Sequence, residues 1–124
     1  MLEVGVVVVG VTDRDRASAF WCAALSYRPR SGPFGGWEVV LEPSDGRTGA
    51  RIALQRSESA PGMTPRMHLD LHVRGASEHA REIDRLIGLG ATRVDWQYPD
   101  DPDFVVLADP ELNLFCVVDL DHEQ

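Results

Sequence analysis

The sequence predicts an α+β fold of two tandem modules, each with the order strand, helix and then two or three strands. Three observations indicate this: a valine-rich segment precedes a helical apolar stripe, the same order returns about 60 residues later, and alternating strands follow each helix. Two such βαβββ units, side by side, form a curved eight-stranded sheet around a concave groove. We expect one domain over residues 1–124, with module 1 at about 1–57, a linker at about 58–65 and module 2 at about 66–124.

The first module begins with a strand, because the branched Cβ of its many valines favours a pleated backbone. Thr12 predicts the start of a helix, since Asp15 follows it at the spacing of a cap. Apolar residues then recur at helical spacing up to Leu25, and Pro29 ends the helix in a loop. The predicted strands of this module are residues 2–11, 36–42 and 50–56.

The second module repeats this order after a linker rich in small residues. Met67 begins a segment of alternating apolar and polar residues, which is typical of a strand with one exposed face. Ser77 is the predicted cap of the second helix, and Gly90 is placed to end it. The predicted strands are residues 67–73, 92–97, 104–108 and 114–119.

The chain is acidic, with 20 acidic residues against 12 basic ones, a net charge of −8 and a pI near 4.8. Because this charge repels phosphate backbones and anionic lipids, we expect no nucleic acid and no membrane as a partner, and a small-molecule ligand instead. The longest apolar run is too short for a membrane helix, and no basic segment precedes it to make a signal peptide. Two cysteines are too few for a disulfide framework. We therefore expect a cytoplasmic protein with reduced thiols.

The most informative strand carries polar residues on one face. His68, Asp70 and His72 alternate with apolar residues, so their side chains project to the same side. Two imidazoles so placed can bind one metal ion with a carboxylate beside them, and His68 with Asp70 can act as a general acid/base pair. The alternative is an ordinary exposed strand face. Neighbours two apart lie about 7 Å apart at Cα, so a direct contact requires both side chains to lean.

Other residues are candidates for the wall of a ligand cavity. Gln55 lies on the polar face of its predicted strand. Cys116 is a soft metal ligand or a nucleophile if it faces inward, although burial in the packing is the favoured interpretation. Trp37, Trp96 and Phe104 either stack on a planar ligand or belong to the core.

Several short segments occur in a characteristic order along the chain. They are Val11-Thr12-Asp13 after the first strand, Phe20-Trp21 in the first helix, His68-Leu69-Asp70-Leu71 in the second module, Leu89-Gly90-Ala91 after the second helix, and residues 104–111 and 113–118 at the end. In this order they resemble the vicinal oxygen chelate superfamily, which includes glyoxalase I, bleomycin-resistance proteins and extradiol dioxygenases. The resemblance extends over nearly the whole chain, is nearest to the glyoxalase-like branch, and implies the paired βαβββ fold.

The resemblance implies metal-ligand positions in the first and last strands of each module, which correspond here to Val6, Gln55, His68 and Cys116. Only His68 is a ligand of the kind that active members use, so the implied metal site is degenerate. The candidate ligands for a divalent ion of Zn, Ni, Mn or Fe are His68, Gln55 and His72, and full occupancy is not expected. Leu112 stands where the family usually has glycine, which predicts a strained turn.

We expect a glyoxalase-like protein that binds a small molecule in its groove, with a metal-free lyase or isomerase activity if it is an enzyme. One alternative is a metal-dependent lyase or dioxygenase that uses His68, His72 and either Asp70 or Gln55. The other is a drug-sequestering resistance protein whose tryptophans stack on a cationic aromatic antibiotic. The resemblance also implies a homodimer, in which pairing covers the apolar opening strand.

Overall fold

The computed structural model describes residues 1–32, 38–62 and 65–123 of the chain. The chain divides into two compact units, Met1–Ala60 and Pro61–Gln124. Each unit has one helix and a four-stranded mixed sheet in the order βαβββ, so the predicted α+β fold of two tandem modules is confirmed. Neither helix of the described residues has the length and hydropathy that a membrane span requires.

The first unit has its strands in the order β1-β4-β3-β2, with β1 parallel to β4 and the other pairs antiparallel. Three consecutive residues of the inner strand β4 are buried: Ile52, Ala53 and Leu54. The elements of this unit are β1 (Val6–Val11), α1 (Arg14–Leu25), β2 (Tyr27–Pro29), β3 (Val39–Pro43) and β4 (Arg51–Arg56).

Helix α1 forms where the apolar spacing predicts it. Its buried residues are Ala17, Phe20, Trp21 and Ala24, one stripe of the helix. The cap is Asp13, whose carboxylate accepts a hydrogen bond from the Arg16 N–H at 3.1 Å. The predicted cap, Thr12, is therefore one residue too early. A carboxylate is the stronger partner for the unpaired N–H groups of a first turn because it carries a full negative charge.

The second unit has its strands in the order β5-β8-β7-β6, with β5 parallel to β8. Strands β7 and β8 have the predicted bounds, whereas β6 is only two residues long instead of the predicted six. The elements are β5 (Leu69–Val73), α2 (Ala76–Leu89), β6 (Thr92–Arg93), β7 (Phe104–Ala108) and β8 (Leu114–Asp119).

At the start of helix α2, the N–H of the cap residue donates its hydrogen bond to a side chain at the end of the distant strand β8. The predicted cap, Ser77, is wrong, because the helix already begins at Ala76 and its cap, Gly75, has no side chain to offer. Instead the buried carboxylate of Asp119 accepts hydrogen bonds from the N–H groups of Asp121 at 2.9 Å and Gly75 at 2.8 Å. These bonds, the Asp121 bond foremost, hold the pKa of Asp119 below its ordinary value although burial opposes the shift.

The turn between β7 and β8 is organised by one buried carboxylate. Asp109 is 1% exposed, and its Oδ1 accepts hydrogen bonds from the N–H groups of Glu111 and Asn113, both at 2.9 Å. The Leu112 N–H also donates to the Asp109 carbonyl at 2.9 Å. Leu112 has a φ of +67° in this turn. This left-handed backbone is the strain that the sequence predicts for a residue with a Cβ at this position.

Leu112→Gly should therefore stabilise the protein, by about 1 kcal/mol, because glycine has no Cβ to clash in the left-handed conformation. The leucine side chain is 57% exposed, so its removal loses little buried area. Urea unfolding of the two proteins measures the difference. Leu112→Ala keeps the Cβ and serves as the control, which should gain nothing. An equal gain in both variants would show that strain at Leu112 is not the cause.

Candidate functional site

The candidate site lies on one face of the second-unit sheet, where polar residues of β5 adjoin the middle of the sheet. In the parallel register Asp70 is opposite Cys116, and on the other side of β8 the partner of Cys116 is Val106. Because side chains alternate along a strand, these residues share a face, and Phe115 and Val117 belong to the opposite one. The shared face continues into an apolar cluster of Val106, Ala108 and Leu114, against which Val94, Trp96, Phe104 and Cys116 pack.

A pocket of about 380 Å³ opens on this face. It has one polar side chain just before β5 and one within it, an acid just before β7, and aromatic walls, which is the composition of a site for a small ligand. Its volume is also within the range of such sites. The lining residues, all from the second unit, are His68, Asp70, Trp96, Asp103, Phe104, Cys116 and Val118.

His68 and Asp70 are in direct contact at this pocket. His68 Nε2 is 3.0 Å from Asp70 Oδ1, and the two side chains are 44% and 47% exposed. His68 precedes the first residue of β5, so its backbone is outside the regular strand. Its side chain can therefore lean toward Asp70 across the distance that separates alternate residues of a strand. A carboxylate in this position orients an imidazole and fixes its tautomer, which suits the histidine to proton transfer.

Cys116 lies next to this polar pair, on the inner strand β8 and opposite Asp70 in register. It is a free, half-buried cysteine, and burial, with smaller contributions from the charge of Asp70 and a hydrogen bond to it, raises the pKa of the thiol to about 11. The thiol is therefore protonated near neutral pH and is a weak nucleophile. Its contact with the apolar cluster is the packing role that the sequence favours. Even so, the ligand atoms of His68, Asp70 and Cys116 all lie within 4.8 Å of one another.

The remaining predicted site residues have different positions. Phe104 lines the pocket and its ring centroid is 5.4 Å from that of Tyr98, while Trp96 forms another wall. His72 is exposed on β5 beside Val118 in register, outside the lining of this pocket. Gln55 is exposed near the end of β4 in the first unit. Trp37 lies outside the described residues.

Sequence reasoning missed Asp103 and Val118 as pocket residues. The acid ends the segment Asp100-Asp101-Pro102-Asp103, whose composition is typical of a solvated turn, and only its position directly before β7 could have indicated a place at the pocket. Val118 is two residues after Cys116 in β8. The alternation of side chains therefore already places it on the same face as that cysteine.

Known proteins with the same fold are found by comparison of both the sequence and the structure. The model of the glyoxalase-like domain matches residues 6–118. A glyoxalase/bleomycin resistance protein/dioxygenase family enzyme from Burkholderia phytofirmans PsJN is similar with a TM-score of 0.73 and 17% identity, over 96% of this chain and 99% of that chain. A mutant fosfomycin resistance protein, FosX, from Listeria monocytogenes, complexed with Mn(II) and 1S,2S-dihydroxypropylphosphonic acid, is similar with a TM-score of 0.70 and 15% identity, over 94% and 87% of the two chains. No curated protein sequence matches significantly.

Proposed function

The chain belongs to the glyoxalase-like domain family, and from this premise we propose that it binds a small organic molecule in the pocket of the second unit. The contact between His68 and Asp70 at 3.0 Å carries the proposal, because it places a polar pair at a pocket that also has two aromatic walls. The ligand has a flat apolar part that packs on Trp96 and Phe104, and a polar group that binds the pair.

The charges at the pocket favour a ligand with a cationic or hydrogen-bond-donating group. Two carboxylates, Asp70 and Asp103, belong to the described lining, which contains no arginine. The chain as a whole has a net charge of −8, so the surrounding field also attracts cations. Aromatic amines combine both properties, since the ring matches the aromatic walls and the ammonium group matches the carboxylates.

The same pair gives the pocket a means of proton transfer. With Nε2 directed to Asp70, His68 exchanges a proton with a bound molecule through Nδ1, and the carboxylate stabilises the imidazolium that forms. This is the chemistry of a metal-free lyase or isomerase step. Where the bound molecule is not turned over, the same pocket sequesters it, as a resistance protein does.

The binding proposal is tested with three ring compounds of different charge: benzylamine, phenol and benzoate. The chain has three tryptophans, so three indole N–H signals report binding in a ¹H–¹⁵N NMR spectrum of chelator-treated protein. Benzylamine should shift the Trp96 signal saturably and bind more tightly than benzoate. The signal of Trp21, which is 2% exposed in the first unit, should not move.

Asp70→Asn should weaken benzylamine binding about tenfold. The ammonium group of benzylamine loses one charge-assisted hydrogen bond to the carboxylate of Asp70, a side chain that is half exposed to water. Asp100→Asn removes the same charge from an exposed aspartate outside this pocket and is the matched control. Any turnover of a bound compound should fall in His68→Ala. Binding that leaves the Trp96 signal unmoved, or equal losses in the two aspartate variants, would refute the proposal.

We also propose a cytoplasmic location and a homodimer. Both cysteines are free thiols, which fits a reducing compartment. Strand β1 is at an edge of its sheet, and its Val8 side chain is 45% exposed, so pairing with a second copy would cover apolar surface.

A further inference from the structure

The two carboxylates that line the pocket differ in what they contact. Asp70 already has two partners, because His68 Nε2 is 3.0 Å from its Oδ1 and the Cys116 thiol donates a hydrogen bond to it. Within residues 1–32, 38–62 and 65–123, no hydrogen bond or ion pair reaches the carboxylate of Asp103, although this residue is half-buried at the pocket. Partial removal of a charged group from water is costly until a cation or a donor compensates it.

The position of Asp103 is fixed by its own main chain. Its carbonyl oxygen accepts a hydrogen bond at 2.8 Å from the N–H of Asp119, the last residue of β8. The next residue, Phe104, begins β7 and is paired in register with Val118. Backbone contacts thus hold Asp103 at the edge of the pocket and leave its side chain available to a ligand. A group that is in place before binding costs less conformational entropy when the ligand arrives.

The two carboxylates belong to opposite ends of the pocket. Asp70 is opposite Cys116 in register, whereas Asp103 is opposite Asp119, three residues farther along β8. Three residues of a strand span about 10 Å, and the backbones of β5 and β7 lie about 10 Å apart on the two sides of β8. One ammonium group cannot bind both carboxylates over this separation, because each contact needs about 3 Å. Val118, an apolar residue of the lining, is at an intermediate level.

We propose that the pocket binds a dication, a flat apolar molecule with one cationic group at each end, and that Asp103 selects it. One cationic group binds the Asp70 carboxylate, and the other binds Asp103. The flat part packs on Trp96 and Phe104, the aromatic walls of the lining. The second cationic group adds a charge-assisted contact that a monoamine lacks, so a molecule with both groups binds more tightly.

The experiment compares para-xylylenediamine with ortho-xylylenediamine, both followed by the Trp96 indole signal that reports benzylamine. The two isomers carry the same charge, so the acidic field of the chain attracts them equally. Only the para isomer has its ammonium groups on opposite sides of the ring, where they can reach both ends of the pocket. We expect the para isomer to bind about tenfold more tightly than the ortho isomer.

Asp103→Asn and Asp100→Asn are matched variants, since each removes one negative charge from the connection between β6 and β7. Asp103→Asn keeps the main-chain bond to Asp119, so it should fold normally, and it should bind the two isomers about equally. Asp100 is exposed and outside this lining, so Asp100→Asn should retain the preference for the para isomer.

The inference rests on the proposed function for its pocket, but the two can fail separately. It is overturned if the native protein binds benzylamine without distinguishing the two diamines, if the preference survives in Asp103→Asn, or if both aspartate variants lose it equally. Each of these results leaves benzylamine binding, and with it the proposed function, standing. If neither benzylamine nor the diamines move the Trp96 signal, the proposed function is wrong and the inference falls with it.

Discussion

Replacing Trp21 with alanine should lower the free energy of unfolding by about 3–5 kcal/mol, the largest stability change that we expect in this chain. The side chain is 2% exposed in α1, and its ring meets that of Phe20 edge to face, with centroids 5.0 Å apart. Truncation leaves a cavity between the helix and the sheet of the first unit, which rigid surroundings fill only in part. Urea unfolding followed by far-ultraviolet circular dichroism measures the loss.

Trp96→Ala is the control for this substitution because it removes the same side chain from the wall of an open pocket. Trp96 is only partly buried, so its truncation should cost about half as much or less. Backbone amides should also become less protected against hydrogen exchange. The loss of protection should be in the first unit for Trp21→Ala and in the second unit for Trp96→Ala. Equal losses of stability from the two tryptophans would contradict the assignment of Trp21 to the core.

Asp109→Ala should be the second most damaging substitution, with a cost of about 3 kcal/mol. It removes the acceptor of the Glu111 and Asn113 N–H groups in the turn between β7 and β8, where Asp109 and Glu111 are both buried. Because β7 and β8 are the two inner strands of their sheet, loosening their connection also weakens the wall of the pocket. Thermal and urea unfolding of the variant measure the effect.

Asp109→Asn separates the role of the acceptor from that of the charge. Its amide oxygen can still accept both hydrogen bonds, so it should retain most of the stability that Asp109→Ala loses. If asparagine proves as damaging as alanine, the charge of Asp109, and not its two hydrogen bonds to the turn, holds the connection together.

The parts of the fold that were predictable from sequence are those with a strong local pattern. β7 and β8 have the predicted bounds because a turn-forming segment separates two runs of strand residues. β2 was not predicted, since its three residues include Pro29 and are held in the sheet by pairing with β3. β1 begins at Val6, later than its valine content indicates, because pairing with β4 begins with Arg51. Strand limits of this kind depend on a partner strand that is distant in sequence.

The candidate site also has a part that the local sequence predicts and a part that depends on strands distant in sequence. Alternation places His68 and Asp70 on one side of the chain, and the sequence predicts that much. The association of Cys116 with them depends on the register of β5 against β8, which places Asp70 opposite Cys116. Register depends on the whole sheet and cannot be predicted from the sequence of either strand alone. Asp103 was missed for the same reason, since its place at the pocket depends on how the sheet brings β7 to β5 through β8.

The hydrogen bond from Gly75 to Asp119 joins residues that are 44 positions apart. On the ribosome, the first turn of α2 is therefore made long before the carboxylate that completes it. The start of the helix and the end of the last strand therefore consolidate together, and a chain truncated before Asp119 would lose the acceptor of the Gly75 N–H at the start of α2 as well as the last residue of β8. Because β8 also carries Cys116, whatever opens the start of α2 would loosen the pocket on the opposite face of the same strand.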